Sequence, residues 1–347
     1  MASSRWTRRP PGSNWGDFGP DDQIGRMNLL NPEKVLQGIA EVRLGLTFCL
    51  SLPLTYPGGN ALNPRRLPPD LQPTSRGGRP NFNYPVALEE PGATDVVCDD
   101  RVILYSQYST QWDGLAHAGS LFDADDDGEA EIVYYNGYRA HEHVRGPSGE
   151  AEGTEGEASD NSCARALGIE NMAATCVQGR GVLVDLRHHF GEDRRAVGYD
   201  DLRGVLEADQ VTVEPGDMLC LHTGFAELIL GMAGKPDTER LENACCALDG
   251  RDQKLLDWIT ESGIAALIAD NYAVEALPAS PAPRPCADEP LHEHCLFKLG
   301  LPLAELWHLT PLAKWLRANG RSRFLLTAPP LRLPGAAGSP VTPVATV

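Results

Sequence analysis

The chain has 347 residues, 42 % apolar and 22 % charged, enough to bury a substantial core without disulfides or metals as staples. Its formal net charge of −18 argues against nucleic acid and against an anionic membrane surface as partners, since both need a basic face. Nine scattered cysteines without a CxxC pair read as reduced thiols of a cytoplasmic protein, the first twenty residues hold no apolar signal-peptide region, and no run reaches the ~18 apolar residues of a membrane span.

Residues 1–30 are rich in Gly, Pro and Trp and are expected to wrap the surface as an irregular arm. LLNPEKVLQGIAEVRLG then predicts a helix, with Asn31 as cap, Pro32 at its first position and Val35, Leu36, Ile39, Ala40 and Val42 as the apolar face, ended by Gly45. LTFCLSLPL alternates as a strand does. The Pro/Gly-rich 56–93 segment is a long loop, part of which is expected over the active site.

DVVCDDRVILY and EIVYYNGY read as strands, and the polar 139–165 segment as a second long loop. GRGVLVDL (179–186), the MLCLH run and IAALIAD are short apolar runs of buried-strand type. GYDDLRGVLEAD, capped by Asp200 or Asp201, and GRDQKLLDWITESG read as helices. EPLHEHCLFKLG is a further helix stopped by Gly300, PLAELWHLTPLAKWLRANG continues in helical or turn form, and SRFLLTAPPL closes the set as a strand. Strands mixed with a few helices, without repeats or heptads, indicate an α/β or α+β fold with a mixed sheet. No Gly-rich dinucleotide or phosphate loop and no G-x-S-x-G elbow is present.

The densest chemistry lies in QYSTQWDGLAH, residues 107–117, which places Gln107, Gln111, Asp113 and His117 within eleven residues of an apolar strand-like run. A carboxylate four residues before a histidine suits an oriented general base. His292 and Glu305 bracket a helix and its glycine turn, so both can point into one cleft. His141 and His143, and the pair His188 and His189, read as surface residues. DADDDG (123–128) resembles the start of a calcium loop but has Tyr134 where the bidentate Glu belongs, and so reads as an acidic turn. Thr223 ends a buried strand at a turn and is a candidate to line the cleft.

Taken together these pieces resemble the metal-dependent cyclase-type hydrolase superfamily, which includes bacterial kynurenine formamidase and isatin hydrolase. The family signature H-x-G-T-H-x-D-x-P-x-H, laid on this chain, gives Q-Y-S-T-Q-W-D-G-L-A-H. Thr110, Asp113 and His117 match. Gln107 and Gln111 stand where histidine ligands are usual, Ser109 replaces Gly and Leu115 replaces Pro. The resemblance continues through GRGVLVDL, PGDMLCLHTGF, LHEHCLFKLGLPLAEL and the C-terminus, from about residue 14 to 346.

The resemblance implies one cyclase-like domain over 1–347, with a swivelling β/β/α arrangement and a mixed-sheet or barrel-like core flanked by helices. It implies His117 as general base, Asp113 as metal ligand or orienter, and His292 and Glu305 as a late ligand or acid/base pair. Gln107, Gln111, Asp113 and His292 form the expected metal set, and because amide oxygens are harder than imidazole, Mn²⁺ or Mg²⁺ is expected before Zn²⁺. Without a metal, Gln107, Thr110 and Gln111 would donate to a substrate carbonyl, with Trp112 as an aromatic wall. The implied function is a hydrolase opening a cyclic or aryl amide, imide or lactone. The alternatives are a metal-independent cyclase or dehydratase of a specialised metabolite using the same His117, and a non-catalytic binding protein. A small-molecule substrate and a homodimer or tetramer are the partners it implies.

Overall fold

A computed structural model describes residues 5–146 and 163–347. The acidic stretch 149–160 and most of the 139–165 loop lie outside the described residues. Among those described, nine strands form the main sheet: β1 (Thr47–Cys49), β2 (Gln111–Asp113), β3 (Gln178–Asp185), β4 (Met218–His222), β5 (Ala266–Ala269), β6 (Leu303–Glu305), β7 (Arg323–Thr327), β8 (Gly338–Pro340) and β9 (Val344–Thr346). Their order is β1-β9-β7-β3-β4-β5-β6-β2-β8. The centre, β3 to β6, is parallel, and both wings are antiparallel. The edge strands β1 and β8 do not pair with each other, so the sheet is a curled half-barrel rather than a closed one.

The sequence explains the parallel centre. GRGVLVD, MLCLH and ALIA are runs buried on both faces, as strands covered on both sides require. One face packs helices α2 (Tyr199–Ala208) and α3 (Gln253–Ser262) with Leu202, Val205, Leu255 and Ile259. The other packs helix α4 (Thr310–Ala318) with Leu312, Ala313 and Leu316. α3 is capped by Asp252, whose carboxylate accepts from the Lys254 and Leu255 amides. α2 is capped by Gly198 instead, and Asp200 and Asp201 sit in its first turn, where they favour the positive end of the helix dipole.

Helix α1 (Pro32–Ala40) begins as expected, with the Asn31 side chain accepting from the Lys34 amide at 3.0 Å. It ends at Ala40, ahead of Gly45, and its packing face is not the apolar one. Leu36 and Ile39 are 64 % and 49 % exposed, whereas Lys34 and Gly38 are buried. A Cβ at Gly38 would come within 2.7 Å of the Gly179 carbonyl on β3, so only glycine permits this approach. Lys34 Nζ reaches Asp217 Oδ1 at 2.8 Å, and Arg180 Nε holds the same oxygen at 2.8 Å. An ion cluster, not the apolar stripe, therefore docks the helix.

The N-terminal arm is part of the core rather than a surface wrap. Trp15 is 1 % exposed and donates Nε1–H to the Phe297 carbonyl at 2.8 Å, and Arg26 caps the end of α3 through the Ile259 and Thr260 carbonyls. EIVYYNGY is a strand only to Val133, and DVVCDDRVILY forms small exposed hairpins outside the main sheet. His141 and His143 lie in a turn. Among the described residues, no helix is long and apolar enough to cross a membrane.

At the carboxyl ends of β3, β4 and β5, His222 bridges Asp185 and Thr310, at 2.8 and 3.0 Å, with Asp270 at 4.0 Å. Burial opposes charge on this ring, but Asp185 and Asp270 outweigh it and raise its pKa, against the smaller opposing charge of Arg187. Arg317 holds the other Asp185 oxygen at 2.7 Å. A raised histidine pKa contributes stability that is fully present below the unfolded value of about 6.5 and is lost as pH rises through the folded value. The substitution His222→Gln is therefore expected to cost more stability at pH 6 than at pH 9, read as the shift in urea midpoint at each pH. An equal shift at both would remove this account.

Candidate active site

Strand β2 alternates, so Gln111 and Asp113 share one face and Trp112 takes the other. Trp112 is fully buried, donates to the Ala328 carbonyl at 2.8 Å and meets Trp307 edge-on at 5.2 Å. The expected aromatic wall is thus a core tryptophan. Antiparallel pairing with β6 sets Glu305 beside Gln111 and Leu303 beside Asp113, so both carboxylates face the same chamber. On the far side β8 passes so closely that a Cβ at Gly338 would come within 2.8 Å of the Gln107 side chain. Glu305 thus lies on a strand rather than on the helical segment expected there.

His292 enters from a short helix, Pro290–His292, that runs on into a wider turn over Glu293–Lys298. Its Nε2 lies 3.5 Å from Glu305 Oε1 and 4.0 Å from Asp113 Oδ2. His117 Nε2 lies 3.8 Å from Asp113 Oδ1, and the two imidazole rings are 6.1 Å apart. Asp113, Glu305 and His292 are buried, while the His117 side chain is 23 % exposed. His292 also lines a cleft of 600 Å³ between Ala118–Leu121 and Pro285–Glu289.

Both glutamines turn their amide nitrogens to Asp113 Oδ1, Gln107 in a short bond and Gln111 at 3.2 Å. Gln107 is therefore a holder of Asp113 rather than a ligand. Burial alone would raise the Asp113 carboxyl, but His117, His292 and the Gln107 amide together hold it below its ordinary value. Burial, with the neighbouring charge of Asp113, lifts Glu305 to about 7. Burial lowers His117 despite Asp113, which leaves a neutral imidazole near pH 7. His292 is opposed by burial yet raised well above 6.5, chiefly by Glu275 and Glu305.

Glu275 escaped the sequence reading. Its Oε1 lies 2.8 Å from His292 Nδ1 and accepts from the His292 amide at 3.0 Å, and its carboxylate also accepts from the Leu291 amide, so it fixes the ring with Nε2 toward the chamber. One signal was present: Glu275 is the sole charged residue between Asp270 and Arg284, set in an apolar run.

Two other expected residues stand apart. Thr110 is buried, donates to the Leu306 carbonyl at 2.6 Å and accepts from the Leu52 amide at 2.9 Å, so it ties strands together rather than facing a substrate. Thr223 is buried and committed to Asp270 by its hydroxyl, at 2.6 Å, and its amide, at 2.7 Å, which shapes the turn after β4. DADDDG is an acidic turn. Asp123 accepts from the Asp127 and Gly128 amides, and Arg139 takes Asp125 and Glu131.

Among the described residues, three buried oxygens of the chamber have no hydrogen-bond partner: Gln111 Oε1, Asp113 Oδ2 and Glu305 Oε2. Ligand atoms of Asp113, His117 and His292 lie within 4.8 Å of one another. Orphan acceptors cost about 1–3 kcal/mol each in a buried site, so this arrangement calls for a positive occupant. The donor set, carboxylate and amide oxygens with imidazole, fits a divalent cation.

Residues 48–276 match the model of a family described as putative cyclase. A solved structure described as a novel cyclase is 30 % identical, with a TM-score of 0.73, over 98 % of this chain and all of that one. Isatin hydrolase A from Labrenzia aggregata is 13 % identical over 90 % of this chain and 97 % of its own, with a TM-score of 0.54. Isatin hydrolase A from Ralstonia solanacearum is 14 % identical over 89 % and 94 %, with a TM-score of 0.52. These two share the fold. No curated protein matches.

Proposed function

The chain belongs to the putative cyclase family, and from that premise we propose that it is a hydrolase opening a cyclic or aryl amide, imide or lactone at the Asp113–His117–His292–Glu305 chamber. The observation that carries this reading is the pairing of a neutral, partly exposed imidazole with a buried carboxyl raised to about 7, across a floor of orphan oxygens. The hydrolase names of the isatin hydrolases point the same way.

In this mechanism water enters from the His117 side. His117 Nε2 takes its proton as the oxygen attacks the carbonyl carbon, and Asp113 stabilises the imidazolium that forms. Glu305 holds its proton near pH 7 and delivers it to the departing nitrogen or oxygen as the C–N or C–O bond breaks. The products are a carboxylic acid and the freed amine, amide or hydroxyl, which stay in one molecule when the substrate is a ring. Gln107 and Gln111 keep Asp113 ionised, and Glu275 holds His292 in one orientation. A divalent cation held by Asp113, His292 and the Gln111 oxygen would polarise the carbonyl when bound.

Two measurements test this. Wild-type protein with Mn²⁺, offered cyclic imides, aryl amides and lactones, is expected to open at least one class, read by loss of ring absorbance. No opening of any of them overturns the reading. Separately, Mn²⁺ added to chelator-treated protein is expected to raise the melting temperature, since a ligand at a hundred times its Kd adds about 2.7 kcal/mol to stability. Asp113→Asn is expected to abolish that rise. If Mn²⁺, Mg²⁺ and Zn²⁺ all leave wild type unshifted, the metal assignment fails.

A further inference from the structure

Away from the chamber, at the carboxyl ends of β3 and β4, lies a cavity of 420 Å³ to which none of Asp113, His117, His292 and Glu305 contributes. The buried His222 and Thr310 form its floor. Three cations, Arg187, Arg240 and Lys314, stand in its wall with two carboxylates, Glu192 and Glu227. On a chain of net charge −18, a cavity with more cations than carboxylates is a local reversal of sign.

The cations keep donors to spare. Arg187 lies flat across the turn after β4: a Cβ at Gly224 would come within 2.8 Å of its Cδ and 2.9 Å of its Nε, so only glycine leaves it room. Its Nη2 goes to Glu192, and the rest of the fork is left over. Glu227 accepts from His308 at 3.2 Å, while Lys314 stands 3.6 Å from it, too far for a full hydrogen bond. Among the described residues the Arg240 guanidinium has no hydrogen bond or ion pair, and only the backbone of that residue is engaged, with Asp237 and Asn243. Burial first, with Asp270 and Glu192, lifts the Cys245 thiol to about 12, and Arg187 and Arg240 oppose that lift, so both guanidiniums lie near this one wall residue.

The floor adds two further donors. His222 Nδ1 lies 2.8 Å from Asp185, and Nε2 lies 3.0 Å from Thr310 Oγ1. Burial opposes charge on the ring, but Asp185 and Asp270 outweigh it, and the raised pKa keeps a proton on Nε2 as well as on Nδ1. Thr310 then accepts from His222, and its own hydroxyl proton has no acceptor among the described residues. Thr310 also opens α4, a nine-residue helix whose N-terminus has no side-chain cap. The first amides of α4 therefore lie unsatisfied beside the cavity, at the positive end of the helix dipole.

We propose that this cavity binds the phosphate group of a small phosphate monoester, with Arg187, Arg240, Lys314 and the Thr310 hydroxyl as its donors. The assignment is independent of the chemistry of the chamber. Donor number selects phosphate over carboxylate. Two forked guanidiniums, an ammonium and a hydroxyl exceed what two carboxylate oxygens accept, and suit three phosphate oxygens carrying nearly two charges. The volume lies within the small-molecule range, so the ester brings an organic part, which meets Leu228 and Cys245.

The test is calorimetric titration of chelator-treated protein with phenyl phosphate and with benzoate, which share the ring and differ in the oxyanion. Chelation keeps a cation in the chamber from capturing either. Saturable binding of phenyl phosphate is expected, with benzoate weaker by about tenfold or more, the effect of losing one charge-assisted hydrogen bond. Arg240→Ala is expected to weaken phenyl phosphate by about tenfold or more. That residue is exposed and its guanidinium unpaired, so the fold does not depend on it. Thr310→Val keeps the shape, removes the hydroxyl and is expected to weaken binding likewise; should it not fold, Arg240→Ala decides alone. No saturable binding of phenyl phosphate overturns the site, as does affinity that Arg240→Ala leaves within about twofold of wild type. Benzoate binding as tightly as phenyl phosphate overturns the phosphate assignment.

Discussion

Replacing His117 by alanine is expected to lower kcat/KM for whichever ring or aryl amide the wild type opens by about 10²–10⁴-fold, the range lost with a general base. The fold should survive, because the ring is partly exposed and its partner Asp113 keeps both glutamine amides and His292. The size of the effect separates roles. A bystander histidine would change turnover by less than a few fold. Retained turnover in His117→Ala would also sink the metal-independent cyclase or dehydratase alternative, since that reading uses the same base. Parallel loss in Glu305→Gln, with substrate binding kept, would place proton delivery at Glu305. A rise in KM alone would make Glu305 a binding group.

The second large effect concerns stability. Asp217 is fully buried between Lys34 and Arg180, which are themselves 6 % and 5 % exposed, and Arg180 also reaches Glu214 at 2.7 Å. Asp217→Ala would leave two buried cations facing each other, with Glu214, on the partly exposed side, as the remaining counter-charge. Removing one partner of such a buried set costs about 3–5 kcal/mol, so a large fall in the urea midpoint is expected. The triple replacement Lys34→Met, Arg180→Met, Asp217→Leu is expected to recover most of that loss, because apolar side chains of similar volume avoid the desolvation of three charges. If Asp217→Ala alone costs under about 1 kcal/mol, water reaches the cluster and α1 is docked mainly by Gly38 against β3.

Helix α1 shows where local pattern and tertiary packing part. Its start was legible because a cap is local: Asn31 and Pro32 set it within one turn. Its buried face was not, because the stripe of Leu36 and Ile39 reports only that a helix is amphipathic. The close approach of Gly38 to Gly179 and the reach of Lys34 to Asp217 decided which side met the sheet.

What the sequence determined by itself was the family resemblance, the buried strands and the Asp113-x-x-x-His117 pair, since apolar runs, caps and fixed spacings are written in consecutive residues. Strand alternation was enough to oppose Trp112 to Gln111 and Asp113, but not to say which face was the chamber. That was settled by antiparallel pairing with β6, which brought Glu305 alongside from 194 positions away. The tertiary structure also gave the two glutamines their work, as amides turned to Asp113 rather than as a pair of ligands, and it supplied Glu275 behind His292. The physical reason is the same in each case. A buried carboxylate or imidazole takes its charge state and direction from whichever donors and acceptors surround it, and those came from strands and loops that only the folded sheet brings together.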